Sequence, residues 1–316
     1  MTVLTAVLTA HLLASSVAGQ VPADPHANAD AKRLLVRLRA DQGRKMISGQ
    51  TDFPDAQWVE QTTGQAPVIL ALDFMRAPAR MGGEKDNLDK AVLWSKRGGI
   101  VAFQWHWVSP TGTDDKGQGF YTKSTKFDLA HTLDHPDSAD YKEMLKDIDD
   151  VAGQLATLQK AGVPVLFRPL HEAQGTWFWW GAKGAEPCRR LYKLIFDRVT
   201  KKHGVHNLLW VWNVYPASEK KGDPATWYPG NSLVDVLATD YLDRPADYKA
   251  LSDLCGGTKL LAVAETMNPP KPRASIDAGA PWAYWVTWAR RDWNAKSEAD
   301  VAAAMRDPLT LTLKGK

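Results

Sequence analysis

The sequence is short of cysteine and of net charge. Among 316 residues there are 2 Cys, and 39 Lys and Arg against 36 Asp and Glu leave a formal charge of +3. Two cysteines exclude a disulfide-dense scaffold. So small a cationic excess offers no field for nucleic acid or an anionic membrane. No run beyond the first twenty residues is apolar enough to span a bilayer. The Gly-x-Gly-x-x-Gly turn, the Walker A loop and the Gly-x-Ser-x-Gly elbow are absent, and His171-Glu172 lacks the second His of a zinc-protease helix. Composition also excludes collagen-like and disordered chains, because 44% of residues are hydrophobic and 24% charged.

Tryptophan, by contrast, is abundant, with 14 residues. Indole faces pack against sugar C–H faces as readily as against a core, so carbohydrate becomes a candidate ligand. Met1 to Gln20 holds no Asp, Glu, Lys or Arg and passes from apolar residues to Ser15-Ser16-Val17-Ala18-Gly19. That resembles a secretory signal without its basic start, so residues 1–20 are read as a signal peptide. The expected location is secreted or periplasmic. In an oxidising compartment Cys188 and Cys255 could pair, or stay as buried thiols.

Eight apolar runs are read as strands: Met46–Thr51, Val68–Phe74, Ile100–Trp107, Val163–Glu172, Asn207–Asn213, Leu233–Tyr241, Leu260–Thr266 and Pro281–Trp288. Their near-continuous hydrophobicity fits parallel strands buried on both faces. Helical periodicity lies between them, as in Met144, Ile148, Val151, Leu155 and Leu158, or in Leu191, Leu194, Ile195 and Val199. Gly162, Gly204 and the Arg97-Gly98-Gly99 turn are placed as helix caps before the next strand. Asp147, Asp149 and Asp150 are expected on a polar helix face, and Ser109–Asp140 as a loop over one end. About 250 residues is a usual size for one (β/α)₈ barrel, and no linker or internal repeat interrupts the chain. The reading is a single α/β (TIM) barrel domain over residues 21–316.

In such a barrel, chemistry sits at the C-terminal strand ends. The polar residues there are Gln104 and His106, Arg168, His171 and Glu172, Asn213, Asp240 and Tyr241, Glu265, and then Trp288. Alternation along a strand groups Gln104 with His106, Arg168 with Glu172, and Leu261, Val263 and Glu265 together. A carboxylate closing Leu260-Leu-Ala-Val-Ala-Glu265 is costly to bury without a partner or a purpose. Glycosidic bond hydrolysis needs two carboxyl groups, one acid and one anion, and Glu172 and Glu265 emerge at the same end. The charge of Glu265 and the surrounding tryptophans would favour the neutral acid form of Glu172. Each glutamate alone could be a salt-bridge partner, and His171 reads equally well as a core histidine. Trp105, Trp210 and Trp282 read as packing residues. His203 and His206, three apart, find no obvious carboxylate or Cys to complete a metal site. Neither a metal nor a cofactor is expected.

Arg168-Pro-Leu-His-Glu172-Ala-Gln-Gly-Thr-Trp177-Phe-Trp-Trp-Gly181 resembles glycoside hydrolase family 26, the β-mannanases. The resemblance extends to Met46-Ile-Ser-Gly-Gln50, Val101-Ala-Phe-Gln-Trp-His106-Trp, Trp210-Val-Trp-Asn213, Val263-Ala-Glu265-Thr and Trp285-Val-Thr-Trp288. It implies a retaining endo-hydrolase with Glu172 as acid/base and Glu265 as nucleophile. His171 stands where related barrel glycosidases carry an Asn near the sugar 2-hydroxyl. Arg168 and His106 match groups lining the central subsite, Trp177 a platform on the leaving-group side, and Trp288 an aromatic floor. The family's Tyr two residues after the sixth-strand Asp is missing, since Asp240 is followed by Tyr241 and then Leu242. Thr266-Met-Asn-Pro-Pro270 also departs from the expected Gly-containing turn. The implied partner is a β-linked polysaccharide, met by a monomer. Mannan is expected, with β-1,3-xylan or mixed-linkage β-glucan as alternatives. A non-catalytic glycan-binding barrel is the rival of a different class.

Overall fold

A computed structural model describes residues 21–115, 117–215, 222–240 and 244–313. The proposed signal segment, residues 1–20, and Tyr241 lie outside the described residues. In chain order the strands are β1 (Met46–Ile47), β2 (Gly49–Thr51), β3 (Ala66–Pro67), β4 (Ile69–Asp73), β5 (Ile100–Gln104) and β6 (Val165–Arg168). They continue as β7 (Leu208–Val214), β8 (Val236–Asp240), β9 (Leu260–Thr266), β10 (Trp285–Thr287) and β11 (Thr310–Leu313). Eight of them close a parallel barrel in the order β10-β2-β4-β5-β6-β7-β8-β9.

The barrel is the one expected from the eight apolar runs, with two adjustments. The first run breaks at Ser48, whose hydroxyl bonds the carbonyl of Leu311 at 2.7 Å. Its first half, β1, leaves the barrel and pairs with β11, while β2 stays in it. Most of the other strands stop short of the expected C-terminal limit, β6 at Arg168 rather than Glu172 and β5 at Gln104 rather than Trp107. The residues beyond those two ends include His106, His171 and Glu172.

Side chains alternate as the pleat requires. On β4, β5 and β6, Ile69, Ala71, Ile100 and Leu166 fill the barrel interior. Leu70, Leu72, Val101, Phe103, Val165 and Phe167 meet the surrounding helices. Full burial of each such side chain stabilises by roughly 1.5–3 kcal/mol. Ahead of the first strand the chain forms α1 (Ala29–Arg39), capped by the Asn28 side chain on the Ala31 N–H. Its Ala31, Leu34, Leu35 and Leu38 join the interior cluster and close the N-terminal mouth.

Ten helices of the described residues pack outside or at the ends: α2 (Phe53–Thr63), α3 (Lys85–Lys96), α4 (Leu129–Asp134), α5 (Ala139–Lys160) and α6 (Ala185–Asp197) follow α1. After them come α7 (Pro224–Trp227), α8 (Pro245–Leu254), α9 (Pro272–Asp277) and α10 (Ala295–Arg306). Met144, Ile148, Val151, Leu155 and Leu158 form the buried face of α5, as the periodicity implies. Gly98, Gly162 and Gly204 all adopt positive φ after their helices.

Three expectations are corrected. Asp147 is on the buried face of α5, not the polar one; it pairs with Arg80 at 2.6 Å and accepts from the Trp107 indole at 2.7 Å. The segment expected as a loop over one end contains α4 and sends Phe120 and Phe127 into the core. His203 and His206 do find carboxylates, but different ones: Asp149 at 2.6 Å and Asp24 at 2.7 Å. Cys188 and Cys255 are both buried free thiols.

Candidate active site

Three adjacent strands end in polar residues that are register partners: Asp73 of β4, Gln104 of β5 and Arg168 of β6. Each continues the inward alternation of its strand, so the three line the C-terminal mouth. Arg168 is buried and donates to Glu265 Oε2 at 2.6 Å, to the Gln104 side-chain oxygen, and to Asp240 at 3.3 Å. Burial works against its charge, but Asp240, Glu265 and Glu172 together hold the guanidinium firmly protonated. Asp240 ends β8 and accepts from Asn213 Nδ2 at 2.9 Å. Burial pushes its carboxyl well up, Arg168 opposes, and the neighbouring Glu265 and Glu172 push the same way as burial.

Glu265 reaches this group by an irregularity. Leu261 and Val263 face the helices, and simple alternation would carry Glu265 outward with them. Thr239 is opposite Val263, however, while Asp240 is opposite Glu265, leaving Ala264 as an extra residue. The same step appears against β10, where Trp285 and Thr287 match Val263 and Thr266. Such a bulge re-aims a side chain. It turns Glu265 inward, level with Asp240.

Glu172 arrives by a different irregularity. β6 has ended, and the chain turns through Leu170 and Glu172 at φ 56° and 53°, with Thr176 at 60°. Left-handed backbone costs a non-glycine residue roughly 1–2 kcal/mol, so the turn must be held. Asn213 Oδ1 accepts the Glu172 N–H at 3.0 Å, and the Trp180 indole donates to the His171 carbonyl at 2.8 Å. The Trp177 indole donates to Glu172 Oε2 at 2.8 Å. Gly175 leaves room for that ring, since a Cβ there would stand 2.1 Å from Trp177.

A second chain of contacts begins at Asp73. It accepts from Gln104 Nε2 at 3.1 Å, from the His106 N–H at 3.0 Å, and from His106 Nδ1 at 2.5 Å. His106 Nε2 then meets His171 Nε2 at 3.2 Å. Burial disfavours a charged His106, yet Asp73 and Glu265 outweigh it and raise its pKa. Burial, then His106 and Arg168, push His171 well below an ordinary histidine. A cationic His106 donates from both ring nitrogens. Facing that donor, a neutral His171 accepts at Nε2.

Aromatic rings wall the mouth. Phe120 and Phe178 stand 5.0 and 5.7 Å from His106, and Trp288 stands 6.0 Å from it. Trp288 divides two hollows: about 310 Å³ beside Asp73 and His106, and about 250 Å³ beside Glu265, Met267 and Asp292. Its indole donates to Asp292 at 2.8 Å. A larger hollow of about 710 Å³, between Pro269-Pro270 and α10, contains none of these groups.

The family model for glycosyl hydrolase family 26 matches residues 23–315. The chain belongs to that family. A mannan endo-1,4-beta-mannosidase of Thermothelomyces thermophilus is 39% identical over 290 residues, covering 86% of this chain and 58% of its own length. One from Bacillus subtilis is 30% identical, covering 84% of this chain and 82% of its own. The Podospora anserina β-(1,4)-mannanase with a carbohydrate-binding module superposes with a TM-score of 0.85 at 36% identity, covering 94% of this chain and 69% of that one. A β-mannanase from a termite's symbiotic protist, complexed with a gluco-manno-oligosaccharide, gives 0.81 at 30%, covering 94% and 97%. The family 26 chain spans about half the length of the first curated relatives it matches.

Of the residues singled out from this family 26 sequence, Arg168, Glu172, Asp240 and Glu265 come together, as do His106 and His171. Trp177 lies on Glu172, and Trp288 lines both hollows. Trp105, Trp210 and Trp282 are fully buried packing residues. Among the described residues no cluster of three or more His, Cys, Asp or Glu could hold a metal ion. Sequence reasoning missed Asp73. The signal was present, because Asp73 closes the apolar run Val68-Ile-Leu-Ala-Leu just as Glu265 closes its own. Gln104 and Asn213 were seen at strand ends, but their partners across the mouth were not.

Proposed function

We propose that this chain is a retaining endo-β-1,4-mannanase. The reading rests above all on Glu172 and Glu265, which act electrostatically on the same buried guanidinium inside an aromatic-walled mouth. Glu265, as a carboxylate, attacks the anomeric carbon and forms a glycosyl ester. Glu172 passes its proton to the departing oxygen, then as a base takes one from the water that hydrolyses the ester. The assignment follows the partners: Glu265 accepts a charge-assisted bond from Arg168, whereas Glu172 accepts a neutral indole N–H from Trp177. Trp177 and Trp288 flank the two sides of the cleaved bond. Mannan as substrate is supported by the relatives' activity and by the glucomannan oligosaccharide bound to the termite-symbiont neighbour. Export of the mature chain as a monomer completes the reading.

Reducing-sugar release should occur with mannan and not with β-1,3-xylan or mixed-linkage β-glucan. Release from xylan or glucan alone would reassign the substrate, and release from none would leave a glycan-binding barrel. Glu172→Ala should retain its first-step burst on an aryl mannoside with a good leaving group, while Glu265→Ala should show none. Equal loss in both variants would overturn the roles. A mature N-terminus near Val21 on protein recovered outside the cell, and a monomer by sedimentation, would check export and assembly.

A further inference from the structure

We propose that Asp73 is a positioning residue of the reaction: one carboxylate that orients His106 directly and Glu265 through Gln104 and Arg168. The kinetic part of this inference rests on the hydrolase reading above. The structural part does not.

Asp73 is the branching point of two hydrogen-bonded chains. Its Oδ1 accepts the His106 backbone N–H, and its Oδ2 accepts both His106 Nδ1 and Gln104 Nε2. One chain runs on from His106 Nε2 to His171 Nε2, the residue beside Glu172. The other runs from the Gln104 oxygen to Arg168 and on to Glu265 Oε2. The Gln104 amide is thereby fixed in a single orientation, because its nitrogen must donate to Asp73 and its oxygen must accept from Arg168. Asp73 also touches the sugar-sized hollow beside Trp288, so the two chains converge at its wall.

The charges around this hub make the arrangement one-directional. Burial would raise the Asp73 carboxyl, but the His106 charge and the three hydrogen bonds hold it below the ordinary range. His106 faces Asp73 from β4, Glu265 from β9, Arg168 from β6 and His171 from the turn after β6. Glu84, bonded to the N–H of Arg76 and to Asn87, adds a further acidic group on the far side of Asp73. Of the two anions that favour the His106 cation, only Asp73 bonds it. Replacing that anion by an amide keeps the shape and removes most of the reason for the charge. His171 would then lose its donor, and Gln104 would be free to turn over.

The test is Asp73→Asn in the full chain, read in two ways. Imidazole NMR should follow the His106 ring protonated to a pH above that of an ordinary histidine in the wild type. In the variant the same ring should lose its proton at lower pH. Turnover of mannan should fall about 10- to 100-fold in kcat/KM, the effect of losing one charge-assisted hydrogen bond, with the melting temperature tracked alongside. An unchanged His106 titration overturns the inference, and so does a shifted titration with unchanged kinetics. If the variant does not fold, the wild-type titration still decides: a His106 that deprotonates at or below the ordinary value overturns the hub. A wild type that cleaves no glycan would sink the hydrolase reading while leaving the His106 result intact.

Discussion

The two mouths of the barrel each bury carboxylates, and they satisfy them differently. At the N-terminal mouth Asp235 accepts backbone N–H groups, from Ala23 at 2.6 Å and from Trp210 at 2.8 Å. Those bonds tie the incoming segment and the start of β8 together. At the C-terminal mouth Asp73, Asp240 and Glu265 bond mainly to side chains that carry charge or can exchange a proton. Burial alone therefore does not mark chemistry. A carboxylate facing fixed amide donors is a fastening, whereas one facing Arg168 or His106 is joined to the other polar side chains of the mouth.

The largest expected effect tests the upper mouth. Glu265→Gln should lower turnover of mannan by about 10⁴-fold or more, the scale seen when a nucleophile is lost. Its unfolding free energy should stay within about 1 kcal/mol of wild type, because Arg168 keeps Asp240 and Gln104 and still faces Glu172. Kinetics and denaturant unfolding on the same preparation would check both halves. A collapse in stability would mean that this carboxylate is a fastening too.

What was legible in the sequence divides along similar lines. The barrel could be read because apolar runs and helical faces repeat, and repetition survives local error. Met46–Thr51 misled only where Ser48 bonds to the C-terminal strand, a partner more than 250 positions away. At the site, Glu265 was found for a partly wrong reason. Alternation grouped it with Leu261 and Val263, and only the extra residue at Ala264 turns it inward. Glu172 likewise owes its place to left-handed turns pinned by Asn213, not to the pleat. Irregular backbone leaves little trace in hydrophobic pattern, so the residues it positions were recognised by chemistry and by family likeness. Asp73 follows the regular pleat and was still passed over, because its partners His106 and Gln104 lie on the next strand and its immediate sequence neighbours are apolar.

A smaller effect should appear at the lower mouth. Burial raises the Asp235 carboxyl to about 6, against the two backbone N–H groups and Lys259, which favour its charge. A carboxyl raised on folding lends stability that is full below the unfolded value near 4 and is lost as pH rises through 6. Wild type should therefore lose about 2 kcal/mol relative to Asp235→Asn between pH 4.5 and pH 7.5. Turnover at a fixed pH should be unchanged. Urea unfolding of both proteins at the two pH values is the measurement, and a constant difference would remove Asp235 as a titrating fastening.

The smallest effect separates two tryptophans within the upper mouth. Both donate an indole N–H to a carboxyl oxygen at 2.8 Å: Trp177 to Glu172, and Trp288 to the exposed Asp292. Replacing either by Phe keeps an aromatic face for a sugar and deletes the donor. Losing a hydrogen bond to a charged group is worth about 1.5–3 kcal/mol when buried and less when exposed. Trp177→Phe should therefore slow mannan cleavage about 10-fold. The loss should shrink on aryl mannosides with good leaving groups, which need little help from an acid. Trp288→Phe should show no such dependence on the leaving group, because its donor does not reach the carboxyl that moves the proton. Matching leaving-group trends in the two variants would mean that the indole acts on Glu172 only as packing.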